Sequence, residues 1–140
     1  MKHLRIIAAV MLLAVGMTAW AKRKADVDGK PDIKFEQTTH DFGTVNAATK
    51  WLEHDFTFTN PGTAPLAIAT VSASCGCTKP EFSTKPVQPG KSGTVKLRFT
   101  PKGLPNGKFK RVARVRTNVQ GKNKTVVLTI TGKVTGSTKE

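Results

Sequence analysis

The chain has two cysteines, and a single glycine separates them: "SASCGCTK", residues 72–79, holds Cys75, Gly76 and Cys77. Thiols at this spacing admit three chemistries. They can close into a disulfide, remain thiols that pack as small hydrophobes, or hold a soft ion such as Cu(I) between two thiolates. In a regular strand residues i and i+2 lie about 6.6 Å apart, from a rise of ~3.3 Å per residue, whereas a disulfide needs its Cβ atoms at roughly 3.5–4.5 Å. Closure therefore requires the backbone to fold back at Gly76, the residue type best able to do so. The small ring so formed is expected to be strained and reducible. In the common oxidoreductases two residues separate the cysteines, at a helix N-terminus, and this stretch meets neither condition.

A fuller metal site would have to recruit His40 and His54, the histidines that remain once the N-terminal leader is set aside. Their spacing from Cys75 and Cys77 matches no common zinc pattern. His54 also falls on the apolar face of its expected strand, where a hydrogen-bonded histidine is the usual finding. No metal site is assigned and no cofactor is implied. Paired carboxylates and a nucleophile elbow are missing, and neither cysteine has a histidine close in sequence to activate it. No catalytic residue is assigned, and the chain is read as a non-enzyme. "DFG" at 41–43 stands without the glycine-rich phosphate loop or "HRD" segment that would give it a metal-binding role.

The compartment follows from the first residues. Residues 1–21, "MKHLRIIAAVMLLAVGMTAWA", begin with Lys2 and Arg5, run apolar from Ile6 to Met17 and end Ala19-Trp20-Ala21. This is the pattern of a secretory signal peptide, and its apolar run is short for a bilayer of ~30 Å. Cleavage after Ala21 leaves no transmembrane span, and an exported protein, periplasmic, cell-surface or secreted, meets conditions in which thiols oxidise. The formal charge of the whole chain is +14 at pH 7 and falls to about +12 without Lys2 and Arg5. Such a charge favours polyanions through counterion release. Nucleic acid is set aside because an exported protein rarely meets it, which leaves anionic envelope polymers or an unidentified protein as partners. Basic residues concentrate in "KFKRVARVR", 108–116. In an extended strand Lys110, Arg114 and Arg116 share one face with Lys108, and Arg111 takes the other. Lys108, Lys110, Arg114 and Arg116 are therefore the candidate anion-binding residues.

No segment after the leader carries a helical apolar period over three turns. Short alternating runs are punctuated by Gly, Pro and Asn instead: "KWLEHDFTF", "LAIATV", "TVKLRF", "KFKRVARVRTN" and "NKTVVLTITGKV", preceded by "IKFEQ" and "HDFGTV". Six or seven strands with turns every 8 to 12 residues indicate an all-β sandwich. Its expected core is Phe42, Phe56, Phe58, Leu66, Ile68, Val95, Leu97, Phe99, Val115, Leu128 and Ile130. Asp41-Phe42-Gly43 reads as a strand bend, and Asn60-Pro61-Gly62 and Pro89-Gly90 read as turns in which glycine supplies positive φ. The segments 22–32 and 135–140 are polar and are expected to be tails without fixed structure.

"HDFGTV" (40–45), "FTFTNPGTAPLAI" (56–68), "SCGCT" (74–78), "PVQPGKSGTVKLRF" (86–99), "GKFKRVARVRTN" (107–118) and "LTITGKV" (128–134) follow one another in this order. The set resembles a family of exported bacterial proteins known as a domain of unknown function, related in fold to hydin and major-sperm-protein domains. The resemblance covers residues 33–134. It implies an immunoglobulin-like antiparallel β-sandwich of about seven strands and an exported location, and it supplies no activity, substrate or catalytic residue. The functional expectation is an interaction module for a protein or an anionic glycan or lipid at the cell envelope. The alternative is a thiol–disulfide or soft-metal-handling protein that uses Cys75 and Cys77.

Overall fold

The computed structural model describes residues 29–138. The expected signal peptide at 1–21 and most of the N-terminal tail lie outside the described residues. Eight strands form two sheets of four. One sheet holds β1 (Lys34–Phe35), β3 (Leu52–Thr59), β6 (Ser92–Phe99) and β5 (Thr78–Phe82), in that spatial order. The other holds β2 (Thr39–Asn46), β8 (Thr125–Thr135), β7 (Gly107–Thr117) and β4 (Ile68–Ala73). This is the all-β sandwich that the turn spacing predicts. Two details go beyond that reading. β5 is a short strand that alternation does not reveal, whereas β1 lies within "IKFEQ". β2 runs parallel to β8, because the chain leaves β1 in one sheet and continues in the same direction as β2 in the other. The remaining pairings are antiparallel.

Strand alternation builds the core. β3 and β6 pair without slippage, Leu52 opposite Phe99 through Thr59 opposite Ser92, so Phe56, Phe58, Val95, Leu97 and Phe99 all reach the interior and are buried. β7 and β8 contribute Phe109, Ala113, Val115, Leu128, Ile130 and Val134 from the facing sheet. Phe99 stacks on Phe109 across the two sheets, with ring centroids 4.5 Å apart. Each such ring withdraws enough apolar surface from water to contribute about 1.5–3 kcal/mol. Leu66 and Ile68 are buried as expected, whereas Phe42 is only half-buried. It sits at a register shift between Asp41 and Thr44 of the edge strand β2. There Asp41 Oδ1 accepts a hydrogen bond from Gly43 N at 2.8 Å and Gly43 adopts φ 68°.

Asn60 is fully buried and organises the neighbouring turn. Its Oδ1 accepts from Gly62 N at 2.9 Å and from Asp32 N at 3.3 Å, while its Nδ2 donates to Ala64 O at 2.8 Å and Val87 O at 2.9 Å. The amide thereby satisfies backbone groups that burial would otherwise leave costly. The expected reason for Gly62 is corrected here. Its φ is not positive; glycine is required because a Cβ would lie 2.3 Å from Lys30 O.

Candidate functional site

Cys75 and Cys77 lie in the connection that carries the chain from β4 in one sheet to β5 in the other. They are joined by a disulfide with Cα atoms 5.3 Å apart, inside the usual range for bridged cysteines. The loop is held on both sides. Ser74 N donates to Val112 O at 2.9 Å, and Ser74 Oγ accepts from Val112 N at 3.2 Å. Thr78 N donates to Cys75 O at 3.3 Å and Thr100 N to Cys77 O at 2.9 Å. Gly76 is exposed at the apex, with open space where a Cβ would stand. Both cysteines are half-buried, and Cys77 packs against the core.

The residue that completes this site comes from β7. Phe109, Arg111, Ala113 and Val115 alternate toward the interior, so Arg111 occupies a position whose neighbours are apolar. Arg111 is half-buried, its Nε donates to Cys77 Sγ at 3.4 Å, and its Nη1 donates to Lys110 O at 2.9 Å. Alternation puts Arg111 opposite to Lys110, Arg114 and Arg116, as the sequence indicates. Its meeting with a cysteine 34 residues away depends on the β4–β5 crossover, for which the sequence carries no local signal.

The four candidate anion-binding residues stand together on the outer face of β7. Pairing with β8 is regular from Gly107 to Arg116, so the alternation is unbroken. Lys108, Lys110, Arg114 and Arg116 are all exposed. Across the ladder Lys108 faces Lys133, Lys110 faces Thr131, Arg114 faces Val127 and Arg116 faces Thr125. Lys133 is the cation that sequence reasoning missed, since it joins the group only through this register. Asp41, the carboxylate beside them, accepts the Gly43 amide. A shallow cleft of about 530 Å³ opens here, lined by Thr44, Lys108, Lys110, Thr131 and Lys133 among others.

His40 and His54 meet each other rather than the cysteines. They come from β2 and β3, in different sheets, and stack with ring centroids 3.6 Å apart and planes 9° from parallel. Gln37 Nε2 lies 2.7 Å from His54 Nε2. The amide is the donor, so that ring nitrogen is unprotonated. Burial, with a smaller contribution from the neighbouring His40 charge, holds His54 below the ordinary imidazole range, against an opposing pull from Asp55. Among the described residues no group of three or more His, Cys, Asp or Glu side chains is placed to hold a metal ion. No helix of the described residues is long and apolar enough to cross a membrane.

Solved structures share this fold at low identity. A protein of unknown function from Porphyromonas gingivalis W83 superposes with a TM-score of 0.62 at 12% identity, over 74% of this chain and 46% of that one. This chain thus spans about half the length of that protein. The PapD-like domain 7 (ASH / PapD-like) of human CEP192 matches with a TM-score of 0.61 at 12% identity, over 77% of this chain and 88% of that one. A secreted serine protease, VesC from Vibrio cholerae, matches with a TM-score of 0.55 at 14% identity, over 74% of this chain and 23% of that one. No curated protein matches. The sequence pattern that suggests an immunoglobulin-like domain of unknown function has its counterpart in a family model matching residues 33–134, and the chain belongs to that family, the protein of unknown function DUF1573.

Proposed function

We propose that this chain is an exported, non-catalytic interaction module that presents the outer face of the β2-β8-β7-β4 sheet to an anionic glycan or lipid surface of the cell envelope. The observation that carries the reading is Lys108 directly opposite Lys133. Like charges in cross-strand register are destabilising; neither lysine is in an ion pair among the described residues, and Asp41 is the one carboxylate that lines the same cleft. A negatively charged ligand would relieve the repulsion and release the counterions condensed on it. Lys110, Arg114 and Arg116 extend the same row, since alternate residues of a strand stand roughly 6.8 Å apart. Thr125, Thr129 and Thr131 offer hydroxyls between the charges. A flat, open, cationic face suits an extended polymer or a headgroup layer better than an enclosed small molecule.

The test is retention on immobilised heparin and on lipopolysaccharide vesicles as salt rises. Lys108→Glu, Lys110→Glu and Lys133→Glu together should weaken retention much more than reversal of Lys34, Lys79 and Lys102. The dependence of log affinity on log salt should flatten by about one unit for each anionic group of the polymer that is no longer neutralised. Equal losses in both triple variants would mean that net charge alone is responsible. A parent protein that ignores both polymers would turn the search toward a folded protein partner.

A further inference from the structure

We propose that Cys75 and Cys77 form a thiol–disulfide exchange site for low-molecular-weight or peptide thiols, with Arg111 as the positioning residue that receives the Cys77 thiolate. The proposal is independent of the cationic face. It starts from a placement the fold does not require: a guanidinium at an inward position of β7, between the buried Phe109 and Ala113. None of the ion pairs among the described residues involves Arg111. Its Nη1 donates to Lys110 O, and its Nε donates to Cys77 Sγ. A disulfide sulfur is a weak acceptor, whereas a thiolate is an anion that makes a charge-assisted bond. The contact therefore gains strength when the disulfide opens, and it favours the reduced and mixed-disulfide states over the oxidised one.

The surroundings assign different roles to the two sulfurs. Cys77 packs on the core and carries the guanidinium, whereas Cys75 adjoins the exposed Gly76 apex. Thr78 Oγ1 lies 3.7 Å from Cys75 Sγ and 4.0 Å from Cys77 Sγ. An incoming thiolate attacks Cys75 Sγ. A bond forms between that sulfur and the attacker while the Cys75–Cys77 bond breaks, and the electron pair leaves on Cys77 Sγ beside Arg111. A second thiolate then attacks the incoming sulfur of the mixed disulfide and expels Cys75 thiolate, and each protein thiolate takes up a proton. Two external thiols are oxidised to one disulfide as the protein disulfide is reduced to a dithiol. The bonds at Ser74, Thr78 and Cys77 that hold the loop involve no sulfur atom, and the same steps run in reverse with an external disulfide as oxidant. A thiolate that is better stabilised leaves faster, which places the rate of the first step under the control of Arg111.

The experiment uses the folded full chain and reduced glutathione as the probe. After a short pulse, free thiols are blocked with iodoacetamide and the mass and fragment masses are read. Glutathione should open the native disulfide, and the trapped intermediate should carry the glutathionyl group on Cys75. Arg111→Met should slow opening about tenfold and move the equilibrium toward the oxidised form by a similar factor, while Arg111→Lys retains most of both. In the Cys75→Ser background, the ultraviolet thiolate absorbance of Cys77 at neutral pH should fall when Arg111→Met is added, a signature that a packing role would not move. Circular dichroism checks the fold of each variant; if Arg111→Met does not fold, the charge-neutral Arg111→Gln takes its place in both measurements. Glutathione found on Cys77, a disulfide untouched by glutathione, or rates and absorbance indifferent to residue 111 would each overturn the assignment.

Discussion

On the outer face of the β1-β3-β6-β5 sheet, opposite charges alternate across the ladder. Glu53 stands opposite Arg98, Asp55 opposite Lys96, and Glu81 completes the Lys96 row from β5. Glu53 reaches Arg98 at 2.7 Å and Lys96 at 3.9 Å, and Arg98 also reaches Glu81 at 3.2 Å. Lys79 and Arg98 lie over the Trp51 ring at 5.4 and 5.1 Å. The outer face of the other sheet is built on the same strand geometry with the acids left out. Lys108, Lys110, Arg114, Arg116 and Lys133 are accompanied there, among the described residues, by Asp41 alone, and none of the ion pairs of the described residues lies on it. One fold thus carries a face whose charges pair internally and a face whose cations form no ion pair among the described residues. Net charge is a property of the whole chain, but its availability to a partner is a property of one sheet.

The contrast is meaningful only if the two faces belong to one cooperative body, and the core makes that testable. Phe99 of β6 is fully buried and stacks on Phe109 of β7. Phe99→Ala should cost about 3–5 kcal/mol, a large share of the stability of a domain this size. Urea unfolding followed by circular dichroism should keep a single transition at a lower midpoint. Two separated transitions would mean that the sheets can come apart.

The second prediction acts on the faces directly. Reversing Arg114 and Arg116 together should reduce heparin affinity by about tenfold or more at low salt, with a smaller loss at high salt as screening takes over. The conservative pair Arg114→Lys and Arg116→Lys should retain most of the affinity if the polymer is read as charge. A large loss in the lysine pair, read by the same retention assay, would instead point to bidentate recognition of sulfate or phosphate groups.

How much of the fold and site is legible in the sequence depends on how local each feature is. Alternation within one strand suffices to place Phe56, Leu97 and Leu128 inside and Lys110, Arg114 and Arg116 outside. β5 escapes the same reading because "TKPEF" contains a proline and few apolar residues; it is a strand only because β6 lies beside it. Lys133 joins the cationic group through the register of β7 against β8, and Arg111 finds Cys77 through a crossover between sheets. Both require tertiary geometry that no local spacing encodes. Gly62 teaches a related lesson: a turn-like "NPG" suggests left-handed backbone, whereas the constraint is a carbonyl contributed by Lys30, far away in the chain.

Removing one acid should make the paired face resemble the other. Glu53→Gln deprives Arg98 and Lys96 of their shared carboxylate. Because these side chains are about a third or more exposed, the loss of stability should stay below ~1 kcal/mol. Affinity for heparin should nevertheless rise modestly, since Lys96 loses its ion pair and Arg98 keeps only Glu81. If stability and retention both stay unchanged, the ion pairs of that face are too weak to explain why it differs from its opposite.

The seam between the sheets offers the subtlest test, because it titrates where neither face should. His40 from one sheet and His54 from the other are stacked, and His54 accepts from the Gln37 amide. Protonating His54 would remove that acceptor and, with His40 also charged, would set two like charges face to face. Burial already disfavours the charged form of His54, and the His40 charge adds to the effect. The folded state therefore binds fewer protons than the unfolded chain as pH falls through the imidazole range. The stability held above the unfolded value is lost as pH drops through the depressed folded value. Thermal midpoints measured between pH 7.5 and pH 5 should decline in the parent and decline less steeply in His54→Gln, which keeps a polar partner for Gln37. His40→Gln should fall between them, since it removes the like charge and leaves His54 part-buried. Heparin retention should stay level over the part of this range in which the protein remains folded, because neither histidine stands on the outer cationic face. An unchanged slope in His54→Gln would transfer the acid sensitivity to the carboxylates. Retention that changes in step with the midpoint would tie the seam to the binding face, and the two surfaces could no longer be treated as independent.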